Sequence, residues 1–432
     1  MATTHAIGAG TLDERAESLA PLNIVFITKA DLPEGQGHTA RLRTFVRTLT
    51  LLGHRVSIWN EHSLGVVPSS EQMVEGQLDG ANYRYVLGTL DRGHGIRSLS
   101  TKFRAIKTIA RDLRASCSRE RIDVLCFNQL TFLDAYPLML LARSMGIPTI
   151  QAYEDERWDR ESPKSVALGH SLFPVDAWLA DRYCPRLADA IVVISTYLQD
   201  KYARLKRNSE DVVLLPTIVD CDAWECPEEE NTEPPTILYA GSFHLPEPIE
   251  AMIDSLSILR NQGRRFRLVM CGENLRDPAR MNNIRARIEG HLLSAMVEMR
   301  GFVPAEIVRK QVRNANILLC IRKGGELSRS GLSTKLSESL ASGRMVITSD
   351  VGDVSRYLKH RESAMILPAN ATPEEIAASI GEGLESYELR RRVGAGGREA
   401  ARRFFDFSPA KDILSMLLMK LMSRRRDYRV RS

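Results

Sequence analysis

The sequence lacks the cysteine patterns that mark metal-binding and disulfide-stabilised proteins. It has seven cysteines, an odd number, and no two of them are spaced Cys-x-x-Cys. Several lie in apolar segments, such as VLCF (124–127) and LLCI (318–321). Buried thiols of this kind remain reduced in the cytosol. We therefore expect core cysteines in a cytoplasmic protein, with neither a zinc site nor a disulfide framework.

Long hydrophobic segments and a strong charge imbalance are also missing. Residues 1–20 lack the apolar core of a signal peptide, and we expect them to be disordered. No apolar run approaches the roughly 20 residues that cross a bilayer. The formal net charge of +5 over 432 residues does not indicate a nucleic-acid partner. The length suits two domains of about 200 residues each.

One strongly basic segment, SRRRDYRVRS (423–432), closes the sequence. It overlaps SPAKDILSMLLMKLMSRR, which predicts a helix with Ser408 and Pro409 as its cap and first-turn residue. The Met- and Leu-rich face of this helix either packs on the protein or lies on an anionic membrane surface. Both alternatives stay open, so peripheral contact with the inner face of the membrane is one expectation for localisation.

Strands and helices alternate along the chain. NIVFIT (23–28) is a continuous apolar run, typical of a strand buried on both faces. A loop with two glycines follows, then a helical segment ended by Gly53, and then the strand HRVSIWN. The same alternation begins again at TILYAGS (236–242). This pattern predicts an α/β architecture with parallel sheets.

We predict two Rossmann-like domains that face each other across a cleft. The N-terminal domain is expected over residues 21–225 and the C-terminal domain over 234–405, with an acidic, proline-bearing linker between them. Residues 406–432 form a C-terminal helix and basic tail that pack back toward the N-terminal domain. Ligands of such sheets bind beyond the carboxyl ends of the strands, so the cleft is the expected site.

The segment RSGLSTKLSESLASGRMVITS (329–349) predicts a ligand with two chemically different parts. It runs from a glycine-containing loop into a helix that carries Glu338 about one turn from its start. The unpaired N–H groups at a helix N-terminus attract anions. An ionised carboxylate accepts hydrogen bonds from hydroxyl groups. The expected ligand therefore carries both an anionic group and hydroxyl groups.

Six segments together resemble the GT-B-fold glycosyltransferases, specifically glycosyltransferase family 4. They are EGQGHTARLRTFVRTLTLLGHRVSIW, LADAIVVISTYLQDKY, VVLLPTIVDCDAW, ILYAGSF, GFVPAEIVRKQVRNANILL and TKLSESLASGRMVI. They occur in the order expected for that family, and the resemblance extends from about residue 23 to about residue 420. It implies transfer of a sugar from a nucleotide diphosphate sugar to an acceptor hydroxyl, with retention of anomeric configuration. No cofactor is expected, and the absence of an Asp-x-Asp motif in a strand–loop context predicts no metal.

The resemblance also implies roles for particular residues. Glu338 would accept hydrogen bonds from the ribose hydroxyls of the donor, and the amides of Gly331, Leu332 and Ser333 would approach its diphosphate. The expected donor-binding residues are Gly35, Gly37, Arg41, Ser242, Arg329, Ser330, Gly331, Leu332, Ser333, Thr334, Lys335 and Glu338.

In the N-terminal half, the loop with Gly35 and Gly37 either binds an anion or sugar phosphate or forms an ordinary turn. The start of the following helix could carry His38 and Arg41 into the cleft. Glu154 and Asp155 follow a predicted strand, so they either contact sugar hydroxyls or belong to a solvated loop. We expect His38, Glu154 and Asp155 to be the catalytic residues.

The sequence departs from the family pattern at two places. A further glutamate usually precedes the one at 338, and Ser330 occupies its position here. The family also has a basic pair that meets the diphosphate, where this chain offers Ser242 and Pro248. The missing positive charge is expected from Lys335 first and Arg329 next, with Arg322 and Lys323 as further candidates.

Two other functions fit the same sequence features. One is a sugar-nucleotide epimerase or hydrolase on the same two-domain scaffold. The other is a non-catalytic nucleotide-sugar-binding subunit, which the two departures favour. The sequence leaves the donor sugar, the nucleotide base and the acceptor open, and the acceptor could be a carbohydrate, a lipid-linked sugar or a small molecule.

Overall fold

The computed structural model describes residues 19–35, 37–63, 73–91, 96–119, 121–128, 130–155, 173–227, 233–244, 247–274 and 277–431. Most of the N-terminal segment that we expected to be disordered lies outside this description. The same is true of most of the acidic stretch after Asp155 and of the middle of the expected linker.

The N-terminal domain contains an eight-stranded sheet in the order β3-β4-β2-β1-β5-β6-β7-β8. All neighbouring strands are parallel except β3 and β4, which are antiparallel. The strands are β1 (Asn23–Thr28), β2 (Arg55–Asn60), β3 (Glu75–Leu78), β4 (Ala81–Tyr85), β5 (Val124–Asn128), β6 (Thr149–Tyr153), β7 (Ala190–Val193) and β8 (Val212–Leu214).

The C-terminal domain contains a six-stranded, wholly parallel sheet in the order β11-β10-β9-β12-β13-β14. Its strands are β9 (Thr236–Ala240), β10 (Arg267–Cys271), β11 (Val297–Met299), β12 (Ile317–Cys320), β13 (Met345–Ser349) and β14 (Met365–Leu367). Each sheet has an apolar core on both faces. Burial on both faces explains the continuous apolar strands of the sequence.

Helices cover both sheets. In the N-terminal domain they are α1 (Gly37–Leu51), α2 (Ile96–Arg119), α3 (Phe132–Ser144), α4 (Phe173–Leu187) and α5 (Thr196–Ala203). The short helix α6 (Cys221–Trp224) follows β8 in the chain but packs on the C-terminal domain, where Cys221 lies in the same core as β9 and β10. The other helices of the C-terminal domain are α7 (Ile249–Asn261), α8 (Pro278–Gly290), α9 (Ala305–Asn314), α10 (Glu326–Arg329), α11 (Thr334–Ala341), α12 (Val354–Tyr357), α13 (Pro373–Glu385) and α14 (Tyr387–Phe404). Gly53 and Gly263 follow α1 and α7 with φ of +83° and +76°, as helix-ending glycines do.

In both sheets the strand order reverses beside the first strand, between β1 and β5 and between β9 and β12. A crevice opens at the carboxyl ends of the strands at such a reversal. The two-domain α/β prediction is therefore confirmed, and the topology places a candidate ligand site at each reversal.

The last helix, α15 (Phe407–Arg431), returns to the N-terminal domain. Leu414, Leu417, Leu418 and Leu421 on this helix are buried in the same core as β1 and α1. Arg425 forms an ion pair with Asp123 at 3.1 Å. The expected packing of this helix on the protein is confirmed. Its predicted start is wrong, because the helix begins at Phe407 and Ser408 and Pro409 lie inside its first turn. No helix among the described residues is long and apolar enough to span a bilayer.

Candidate functional site

A cavity of about 870 Å³ lies between the two domains. Its N-terminal wall includes Gly35, Gly37, Arg41 and Asp155, which follow β1 and β6. Its C-terminal wall comes from the ends of β9, β10 and β12 and from the starts of α9 and α11. The cavity therefore joins the two reversal points, where ligands of parallel sheets bind.

The N-terminus of α11 faces this cavity. Ser333, at the cap position, and Thr334 and Lys335, in the first turn, all line the wall. Gly37 lies on the opposite side, where a Cβ atom would be 3.5 Å from the Thr334 hydroxyl. The glycine loop of one domain therefore meets the anion-attracting helix end of the other.

Glu338 lies one turn further along α11 and is partly exposed at the cavity wall. Burial raises the pKa of its carboxyl group to about 7, and the nearby cations Arg309 and Lys335 offset this only in part. A carboxyl group whose ionised form is disfavoured by burial is suited to a ligand that donates hydrogen bonds to it.

Lys335 is engaged by two residues that the sequence analysis did not select. Its ammonium group bonds to the Glu247 carboxylate and lies 4.7 Å from the centre of the Tyr239 ring. The Tyr239 hydroxyl donates to the same carboxylate. Burial would raise the pKa of Glu247, but Lys335 and Tyr239 lower it below its ordinary value. The cation expected to meet the donor is therefore already paired with an ionised carboxylate.

Two cations of the wall were also missed as binding candidates or given low rank. Arg322 follows β12, and Arg309 on α9 lies with its guanidinium 5.6 Å from the centre of the Trp224 ring. The sequence signal for Arg322 was its position directly after an apolar strand, and Arg309 had no comparable signal. Glu247 lies in the loop after β9, where the family pattern indicates basic residues and not a carboxylate.

On the N-terminal side, Arg41 joins the two domains. It donates to the Asp155 carboxylate at 3.2 Å and to the backbone carbonyl of Leu332 at 3.3 Å. Asp155 lines the cavity. Gly35 also lines the cavity. A Cβ atom at this position would lie 2.0 Å from the Thr39 hydroxyl oxygen, so the packing against Thr39 is sufficient to explain the glycine.

His38 and Glu154 form a pair that does not line the cavity. The His38 Nδ1 atom is 2.9 Å from the Glu154 carboxylate, which also accepts a 3.0 Å hydrogen bond from Asn128. Glu154 is 5% exposed. Burial opposes its ionisation, but His38, Arg41 and Asn128 lower its pKa below the ordinary value. Of the three predicted catalytic residues, the structure brings only Asp155 to the wall.

The loop before α11 serves the contact between domains. Ser330 and Leu332 are buried, and their carbonyl oxygens accept hydrogen bonds from Ser195 and Thr217 at 2.6 and 2.9 Å. Gly331 is also buried. The cavity wall includes Ser242 but none of Arg329, Ser330, Gly331 or Leu332, and Arg329 is exposed.

Known families match both halves of the chain. A family model described as glycosyl transferases group 1 matches residues 222–400, and a model of the glycosyl transferase 4-like domain matches residues 36–217. A phosphatidyl-myo-inositol mannosyltransferase of Mycobacterium tuberculosis is 27% identical over 205 residues, which is 45% of this chain. The matched segment spans about half (50%) of that curated relative's length.

Solved structures share the fold at low sequence identity. Sucrose-phosphate synthase from Thermosynechococcus elongatus superposes with a TM-score of 0.70 and 15% identity, over 93% of this chain and 100% of that one. Anabaena HepE in complex with UDP-glucose superposes with a TM-score of 0.66 and 12% identity, again over 93% and 100%. At these identities the similarity establishes the architecture of two facing Rossmann-like domains.

Proposed function

Because the chain belongs to the family 4 type of glycosyltransferases with the GT-B fold, we propose that it moves a sugar from a nucleotide diphosphate sugar to an acceptor hydroxyl. The observation that carries this proposal is the cavity wall made by α11. There, a helix N-terminus and Glu338 face the same space, one turn apart.

The donor fits this wall chemically. The amides of the first turn of α11 supply partial positive charge for a diphosphate, and Ser333 and Thr334 add hydroxyl groups. Glu338, when ionised, accepts hydrogen bonds from both hydroxyls of a ribose ring. These two contacts supply the anion site and the hydroxyl site that the sequence predicted.

The acceptor occupies the N-terminal wall in this proposal. Asp155 and Glu34 are the described carboxylates of that wall, and Asp155, which follows β6, accepts a hydrogen bond from a sugar or acceptor hydroxyl. His38 and Glu154 lie directly behind it and hold the loop after β6 in place through their mutual hydrogen bond. We therefore assign Asp155 to substrate contact and the pair His38–Glu154 to positioning.

Family membership supports retention of the anomeric configuration and a reaction that needs neither cofactor nor metal. Both remain proposals, and product analysis by NMR together with assays in chelator tests them. The contacts between Arg41 and Leu332 and between Thr217 and Leu332 hold the domains together around the cavity. Such closure excludes water, which protects the activated sugar from hydrolysis.

The proposed acceptor is a carbohydrate, a lipid-linked sugar or a small molecule. The proposal also includes a cytoplasmic location, with peripheral membrane contact through the C-terminal tail. Side chains from residue 426 onward lie outside the described part of α15. Sedimentation with anionic vesicles, with and without residues 423–432, tests the membrane contact.

The decisive experiment is a binding and turnover screen with UDP-, GDP- and ADP-sugars. We expect the sugars of one of these three nucleotides to raise the melting temperature of the wild type. The Glu338→Ala variant should lose most of this increase. Glu399→Gln changes an exposed glutamate of α14 and serves as the control. Sugar release without an acceptor would favour a hydrolase, and binding without turnover on any acceptor would favour a non-catalytic subunit.

A further inference from the structure

Among the described residues, five cationic side chains line the cavity, and most of them already have carboxylate partners. They are Arg41, Arg43, Arg309, Arg322 and Lys335. Arg41 pairs with Asp155 at 3.2 Å, Arg43 with Asp79 at 2.8 Å, and Lys335 with Glu247. A paired cation contributes less to anion binding, because the incoming anion must compete with its carboxylate.

Arg322 differs from these three. No described carboxylate lies within ion-pair distance of its guanidinium, whose hydrogen bond of 3.4 Å goes to the neutral carbonyl oxygen of Gly331. The side chain is partly exposed at the cavity wall. Its position after β12 sets it beside the loop that leads into α11, where the diphosphate is expected.

The electrostatic surroundings of Arg322 are those of a cation that lacks a counter-ion. Burial lowers the pKa of its guanidinium, and Asp155 and Glu247 restore it only in part. Both carboxylates are already engaged, with Arg41 and Lys335 respectively. A dianionic group near Arg322 would supply the missing charge and the pairs of oxygen atoms that a guanidinium binds in a bidentate manner.

Arg309, the other cation without a described carboxylate at ion-pair distance, has a different environment. Its guanidinium lies against the Trp224 ring, and its charge acts on Glu338. This places it on the ribose side of the wall. It is therefore a weaker candidate for the diphosphate than Arg322.

We propose that Arg322 is the residue that binds the donor diphosphate and stabilises it as it departs, while Glu247 and Tyr239 hold Lys335 as a structural pair. This inference rests on the proposed transfer reaction. In that reaction the bond between the anomeric carbon and the phosphate oxygen breaks, and its electron pair stays on the phosphate. The acceptor oxygen forms the new bond to the anomeric carbon and gives its proton to the departing phosphate. Arg322 stabilises the negative charge that this step places on the leaving group.

The experiment compares Arg322→Gln, Arg322→Lys and Lys335→Met, with Arg392→Gln on the exposed face of α14 as a matched control. Calorimetry measures binding of UDP, GDP, ADP, their parent nucleosides and inorganic pyrophosphate. For the diphosphate that binds the wild type, we expect Arg322→Gln to weaken affinity about 10- to 100-fold. The affinity for the matching nucleoside should stay unchanged, and Arg322→Lys should recover part of the loss.

The same data identify which proposal fails. The assignment of Arg322 is overturned if Arg322→Gln binds the diphosphate as tightly as the wild type. It is also overturned if Lys335→Met loses more diphosphate affinity than Arg322→Gln does. An equal loss of nucleoside and diphosphate binding also overturns it, because that pattern indicates a purely structural role. If no nucleotide binds the wild type, or if Glu338→Ala binds as well as the wild type, the proposed function fails as well.

Discussion

Replacing Glu338 by glutamine should stabilise the protein while impairing its ligand binding. The folded protein holds the pKa of this carboxyl group at about 7, against an ordinary value of 4.5. Burial of the charged form causes the difference, so ionised Glu338 destabilises the folded protein. Glutamine keeps the shape and the hydrogen-bonding oxygen but removes that charge.

The size of the effect follows from the pKa difference. The difference between 4.5 and about 7, at ~1.4 kcal/mol for each pKa unit, gives an upper limit of about 3.5 kcal/mol. Glu338 is partly exposed, so solvent screening reduces the expected gain to about 1–2 kcal/mol. For a domain of this size, that gain raises the melting temperature by about 2–6 °C.

The stability difference between Glu338→Gln and the wild type should depend on pH. Between pH 4.5 and about 7 the folded state binds more protons at Glu338 than the unfolded state does, so the wild type loses stability as the pH rises through this range. The loss is complete and constant from about one pH unit above the folded pKa, near pH 8. The advantage of Glu338→Gln should therefore be small at pH 4.5 and full at pH 8.

Differential scanning fluorimetry between pH 4.5 and 8 measures this difference, with Glu399→Gln as the exposed control. A melting temperature of Glu338→Gln that is below the wild type at pH 8, or a gain that does not change with pH, would refute the reasoning. The first result would mean that contacts within the folded protein stabilise the carboxylate.

Three further perturbations have expected outcomes. Lowering the pH through about 7 should weaken binding of the nucleotide sugar, because protonated Glu338 loses acceptor capacity, and Glu338→Gln should remove this dependence in calorimetry. Gly272→Ala should lower the free energy of unfolding by about 3 kcal/mol or more, because a Cβ atom would lie 1.7 Å from the Gly241 carbonyl oxygen and the residue has φ +111°. The control Gly290→Ala on α8 has open space around the added Cβ atom and should leave thermal unfolding unchanged. Asp353→Asn should weaken, by about 1–3 kcal/mol, the hydrogen bonds that Thr196 of the N-terminal domain donates to Asp353 of the C-terminal domain, of which the backbone bond is 2.8 Å long. A radius of gyration in solution scattering that equals the wild-type value would contradict this expectation.

The sequence was sufficient to predict the fold because its local signals agree with the tertiary structure. The continuous apolar strands, the helix-ending glycines and the order of strands and helices all follow from burial and backbone geometry. The short strands β3, β4 and β14 were missed. The four residues of β3 and the three of β14 are too few for a periodic pattern. The five residues of β4 (ANYRY) do alternate between buried and more exposed side chains, so its pattern could have predicted a strand.

The site was predicted less completely. The wall position of Glu338 and Lys335 follows from their place at the start of a helix after a parallel strand. The pairing of Lys335 with Glu247 joins residues 88 positions apart, so no local pattern could indicate it. Likewise, only the folded chain shows that His38 and Glu154 lie behind Asp155 and that residues 330–332 serve the domain contact.

The return of α15 to the N-terminal core has a consequence for biosynthesis. Ala410 and four leucines of α15 complete a buried core whose other members precede residue 220. The ribosome must therefore make the whole C-terminal domain before the first domain can close its hydrophobic interior. During that interval the surface of α1 that later contacts α15 is open to water, so the earlier half of the chain should depend on chaperones until the last helix emerges.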